Sequence, residues 1–160
     1  MKVPHLCWVV EPPASFAPLL AEARALGLRV GWLQLAPFTP VAELEPALRA
    51  GMARSVAVGG GASVALKAIA GEPVLVDLLR SHFLGCRLVL LSGDPAQPGV
   101  RIDAPLLPAR LWRARAAVPP GDEPASREPQ SATWKLVTPD GDSRLLTTRQ
   151  LAERLRRPRL

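Results

Sequence analysis

Between residues 5 and 91, short apolar runs alternate with segments whose apolar residues recur at helical spacing. The runs are residues 5–10, Leu28–Leu35, Ser55–Val58 and Cys86–Leu91. An apolar run without in/out alternation suits a strand buried on both faces. After the first run, Glu11-Pro12-Pro13 ends the strand. Phe16, Leu19, Leu20, Ala23 and Leu26 then mark a helix with Ser15 at the capping position and Gly27 as its stop. A second helix is expected from Thr39 to Gly51. Pro40 holds its first helical position, Glu43 and Glu45 sit in its first turns, and Val41, Leu44 and Leu48 form the buried face. A third runs from Pro73 to Leu84, with Val74, Leu75, Leu78, Leu79 and Phe83 inward and Gly85 at its end. This alternation predicts a parallel sheet with right-handed crossovers. The expected fold class is α/β, a Rossmann-like or flavodoxin-like mostly parallel sheet over about residues 3–93.

The remainder reads differently. Residues 94–132 are expected to hold a loop, an edge strand and a mobile linker. In the strand, Leu111-Trp112-Arg113-Ala114-Arg115-Ala116, arginines alternate with apolar side chains, as on a strand with one wet face. The linker is the Pro-, Gly- and Ser-rich stretch 119–131. Residues 133–160 regain order. Thr133–Thr138 and Ser143–Leu146 flank Pro139-Asp140-Gly141-Asp142, a hairpin signal. Thr147 or Thr148 then caps a short C-terminal helix carrying Leu151 and Leu155, ended by Pro158.

Composition bounds the function. At 160 residues, 48% hydrophobic and 21% charged, the chain can bury one ordinary core. The charge of +6 is uneven: residues 1–99 carry 8 basic and 7 acidic side chains, residues 100–160 carry 12 and 7. An electrostatic partner is therefore expected on the second half. Arginine dominates lysine and asparagine is absent. That bias fits a GC-rich bacterial coding sequence and weakens any argument from arginine content to nucleic acid. Two cysteines, Cys7 and Cys86, form no disulfide framework, and both sit in apolar runs as small hydrophobes. No run approaches the ~18 apolar residues of a membrane span, and the N-terminal run is too short for a signal core. A cytoplasmic protein without membrane contact is expected.

The stretch Val56–Lys67 offers the clearest candidate site. Gly59, Gly60 and Gly61 follow an apolar run, with Ser63 and Lys67 beyond. In one reading the glycines let a backbone approach a phosphate, Ser63 donates its hydroxyl and Lys67 lies one helical turn on. A nucleotide is the cofactor such a loop would take, although the dinucleotide and P-loop spacings are both incomplete. In the other reading the glycines only supply positive φ to a hairpin that returns through Ser63–Lys67. Gly59-Gly60-Gly61-Ala62-Ser63 and Lys67-Ala68-Ile69-Ala70 resemble the cofactor-pyrophosphate stretch of iron-type alcohol dehydrogenases over about 12 residues. The match is out of step by one, lacks the family's aspartate, and has no metal-binding helical domain after it, so the activity is not carried over.

Glu11 and Asp94 fall just after expected strands, where α/β sheets keep acidic ligand-binding groups. His5, Cys7, His82 and Cys86 match no zinc spacing, and no metal is expected. The tail arginines Arg149, Arg154, Arg156, Arg157 and Arg159 present a basic surface to a protein or to nucleic-acid phosphates. Trp112 and Trp134 are candidate partner anchors beside them. Two readings result. The first is a nucleotide- or phosphometabolite-binding regulatory domain using Gly59–Ser63. The second, which the sequence favours, is a non-catalytic assembly or adaptor subunit of a cytoplasmic bacterial complex. It would dock through its basic C-terminal hairpin and helix, and no catalytic residue is assigned.

Overall fold

A computed structural model describes residues 4–35, 46, 49–52, 54–59, 61–67, 69, 71–96, 99–103, 106–114 and 132–157. The first apolar run is strand β1 (His5–Val9), buried along its whole length. A 3-10 turn (Pro13–Phe16) leads into α1 (Ala17–Ala25). Pro13 suits that first turn because its missing N–H would be unpaired there anyway. Ser15 lies inside the turn and does not cap α1, which has no side-chain cap. The remaining elements are β2 (Val30–Leu35), β3 (Arg54–Gly59), β4 (Ala62–Lys67), α2 (Leu75–His82), β5 (Leu88–Gly93), β6 (Ala109–Arg113), β7 (Thr133–Val137), β8 (Ser143–Thr147) and α3 (Thr148–Leu155). The helix expected from Thr39 to Gly51 and the linker 119–131 fall largely outside the described residues.

Six strands form one mixed sheet in the order β2-β5-β1-β6-β7-β8. The first four run parallel, and β7 and β8 close the sheet antiparallel. The chain is thus an α/β protein with three helices among the described residues. The C-terminal hairpin is not an appendage. β7 pairs with β6 and extends the sheet that begins at β2. This also corrects the position of β6, expected at an edge. It lies between β1 and β7, and starts two residues earlier than the arginine alternation predicts.

Side chains of β1 and β5 feed two cores, one on each face, because successive residues of a strand point oppositely. Cys7, Val9, Leu88 and Leu90 pack with Phe16 and Leu19 at α1, Leu151 and Leu155 of α3, and Trp134. Leu6, Trp8, Val89 and Leu91 pack with Leu75 and Leu79 of α2 and with Val100. Trp134 ties the first core together. It is fully buried, stacks on Phe16 with ring centroids 5.3 Å apart, and donates from Nε1 to Thr148 Oγ1 at 3.0 Å. The Thr148 hydroxyl donates in turn to the Ala132 carbonyl at 2.9 Å, so both buried polar groups are paired. α2 begins without a side-chain cap; the Arg101 carbonyl accepts its Leu75 N–H at 2.9 Å instead. α3 begins with a capping box, Thr147 and Gln150 exchanging side-chain and backbone bonds.

The third apolar run departs from expectation. Among the described residues β3 does not join the parallel layer; it pairs only with β4, antiparallel, from Arg54↔Lys67 to Gly59↔Ala62. Strand–helix alternation predicts a parallel strand here because it assumes a helix after the glycines. A strand comes after them instead.

Candidate functional site

The glycine stretch is the tip of that hairpin. Gly59 pairs with Ala62, which leaves a two-residue connection whose second member, Gly61, has φ +76°. Such connections need left-handed backbone, which glycine adopts without steric cost. Gly60 lies outside the described residues. Ser63 and Lys67 are both on β4 and exposed. Four residues along a strand span about 13 Å, whereas one helical turn would have set them side by side. The helix N-terminus that a phosphate cradle draws on is not present at 62–67. Lys67 instead borders a cavity of about 510 Å³ between β4 and α2, together with Glu72, Asp77 and His82.

A larger cavity, about 770 Å³, opens at the carboxyl ends of the parallel strands. Its origin is topological. β1 and β5 are neighbours, but the chain leaves β1 toward the α1 face, where Phe16 is buried. It leaves β5 toward the opposite face, where Val100 is buried. Adjacent strands whose connections part to opposite faces leave a crevice between them, the usual ligand position in open α/β sheets. Glu11 and Asp94 both line it, as their places after β1 and β5 predict. Glu11 Oε1 accepts the Arg113 N–H at 3.0 Å and fastens the end of β1 to the end of β6. Its Oε2 is buried with no partner among the described residues. Asp94 Oδ1 accepts the Ala96 N–H at 2.8 Å, an Asx turn that fixes the carboxylate at the exposed rim. Gly93 places it there. The residue has φ +137°, and a Cβ would run into the Leu35 carbonyl of β2.

The crevice is also lined by residues that the sequence did not single out, Trp8 and Arg110, and by Arg113 at the end of β6. Ala109 and Leu111 point into the first core, so Arg110 and Trp112 share the other face of β6. Trp8 is the register partner of Arg110. The alternation of buried Ala109 and Leu111 with Arg110 and Trp112 was available in the sequence. Its pairing with β1 was not. Trp112 is half-buried on the crevice wall, and Lys135 Nζ of β7 stands 5.4 Å from its ring centroid.

The tail is engaged internally. Arg87, just before β5, donates from Nε to the Leu155 carbonyl at 2.6 Å. Its Nη2 donates to the carbonyls of Arg156 and Arg157 at 2.7 and 2.6 Å. A guanidinium at this place satisfies the orphan carbonyls of α3 and opposes the negative end of its dipole. His5 Nε2 donates to the Arg157 carbonyl at 2.9 Å. Burial holds the His5 imidazole below its ordinary value, and the nearby Arg87 and Arg154 add to this against the opposing bond to Arg157. Arg149 pairs with Glu153 at 3.0 Å on the surface, and the pair raises the arginine further. Arg154 is partly buried, the Arg156 and Arg157 side chains are exposed, and Arg159 lies outside the described residues. Trp134, expected as a partner anchor, is interior.

Cys7 is fully buried and its thiol is pushed up to about 12 by desolvation, so no thiolate nucleophile exists there near neutral pH. Among the described residues no group of three or more His, Cys, Asp or Glu is placed to hold a metal ion, and no helix is long and apolar enough to cross a membrane. No family model matches the chain, and no curated protein matches it.

Proposed function

We propose that this chain is a Rossmann-like ligand-binding domain that takes a phosphorylated metabolite or nucleotide in the crevice at the tips of β5, β1 and β6. This is the regulatory-domain reading of the sequence, moved from the glycine hairpin to the strand ends. The observation that carries it is the pairing of shape with charge at one place. A cavity of about 770 Å³ lies within the usual range for small-molecule sites. Arg110 supplies a guanidinium group suited to phosphate, and Glu11 and Asp94 supply acceptors. The adaptor reading is the poorer fit. One of its two tryptophan anchors, Trp134, is in the core, and the backbone of its basic tail is used to close the protein's own helix.

A thermal-shift screen of nucleotides and phosphorylated metabolites tests this. At about a hundredfold excess over Kd, a bound ligand raises the melting temperature by about 5–10 °C in a chain of this size. The variant Arg110→Ala leaves the Glu11 bond to the Arg113 N–H in place, and is expected to lose the shift. If no phosphorylated compound moves the wild-type transition, the reading fails.

A further inference from the structure

We infer that the occupant of the crevice carries a flat aromatic base, making it a nucleotide and not a phosphosugar, with Trp112 as the platform on which the base stacks. The inference rests on the ligand-binding reading above and adds the class of ligand. Three observations carry it. Trp112 forms part of the crevice wall while Lys135, which stands over its ring, does not. The cation takes one face of the indole, and the other is assigned to a ligand. The ring is also not needed to fill the interior, since the adjoining positions Ala109 and Leu111 already enter the core and Trp112 is only half-buried.

The second observation is spacing. Arg110 and Trp112 lie two residues apart on one face of β6, about 7 Å along the strand. That is the scale of the separation between a nucleotide's base and its phosphate. The third is the acceptor. Asp94 is exposed on the same rim and accepts one hydrogen bond there, at Oδ1. Its carboxylate is open to a sugar hydroxyl. Cation, aromatic plane and carboxylate then meet phosphate, base and ribose. A phosphosugar would use the first and last and leave the indole face wet.

Adenosine monophosphate and ribose 5-phosphate are the probes, titrated into the full chain by calorimetry and by tryptophan emission. The nucleotide is expected to bind at least tenfold tighter, because stacking on an aromatic ring adds about that much per base. Trp112→Leu should bring the nucleotide down to the level of ribose 5-phosphate without changing the latter. Trp112→Phe, which keeps a stacking surface, should restore most of the gap. Equal affinity of the two probes for the wild type overturns the inference and leaves the crevice reading standing. A gap that survives Trp112→Leu also overturns it. Binding of neither probe overturns the inference as well, and the crevice reading is then decided by the wider thermal-shift screen.

Discussion

Cys7-Trp8-Val9 and Val56-Ala57-Val58 are both wholly apolar runs, and the protein treats them in opposite ways. In β1, Cys7 is 0% and Val9 3% exposed; in the β3 hairpin, Val56 is 53% and Val58 82% exposed. The difference lies in the connection at the end of each run. After β1 the chain turns through two prolines into a helix that returns across the sheet, and α2 covers the other face. After β3 it turns through glycines and pairs with itself. An apolar run therefore specifies extended backbone, while the connection beyond it specifies depth. Two strands alone are marginal in water, so the stability of this protein is expected to reside in the six-stranded sheet.

The sharpest test of that contrast is the core shared by the sheet, α1 and α3. Trp134→Ala removes the side chain joining β7, Phe16 and Thr148, and should cost about 3–5 kcal/mol in denaturant unfolding. A loss under about 1 kcal/mol, the range of ordinary surface changes, would break the comparison. Thr148→Val keeps the volume but strands the Trp134 Nε1–H, while the Ala132 carbonyl keeps the Thr148 backbone N–H at 3.0 Å. A cost of about 1–3 kcal/mol is expected by the same measurement.

The third test uses pH. His5 has its folded pKa below the ordinary 6.5, so the unfolded chain takes up a proton before the folded one does. Stability is then full above about pH 7.5 and falls as pH drops through about 6.5 toward the folded value, with a slope of at most about 1.4 kcal/mol per pH unit. His5→Gln keeps a donor for the Arg157 carbonyl and should flatten that slope. An unchanged profile would clear His5 of the effect. The smallest change is expected at the hairpin. Val58→Thr should move the unfolding midpoint by less than the equivalent of about 0.5 kcal/mol, as exposed substitutions do. A larger loss would mean that the hairpin is part of the cooperative core.

Much of the sheet was legible because its signals are local. The apolar runs of β1, β2 and β5, the stop at Gly27 and the Asp-Gly turn between β7 and β8 each act within a few residues. Glu11 and Asp94 were legible too, since chain order alone puts them at strand ends. Arg110 and Trp8 were not. They meet because β6 pairs with β1 at Trp8↔Arg110, across a separation of about a hundred residues that no local pattern encodes. The glycine run stayed ambiguous for a related reason. Its residues suit a hairpin and a phosphate loop equally, and the choice depends on whether Ser63–Lys67 finds a strand to pair with. Trp134 invited an interfacial role because tryptophan is a favoured anchor, but the hydroxyl that pairs its indole N–H lies fourteen residues on, at Thr148.

The Arg87 and His5 bonds to the carbonyls of residues 155–157 sit at the starting edge of β5 and β1, and the crevice sits at their finishing edge. The molecule is therefore buckled at one pole and open at the other. A bead or a fusion partner joined beyond residue 157 would hold the domain by its buckle, with the open pole turned outward.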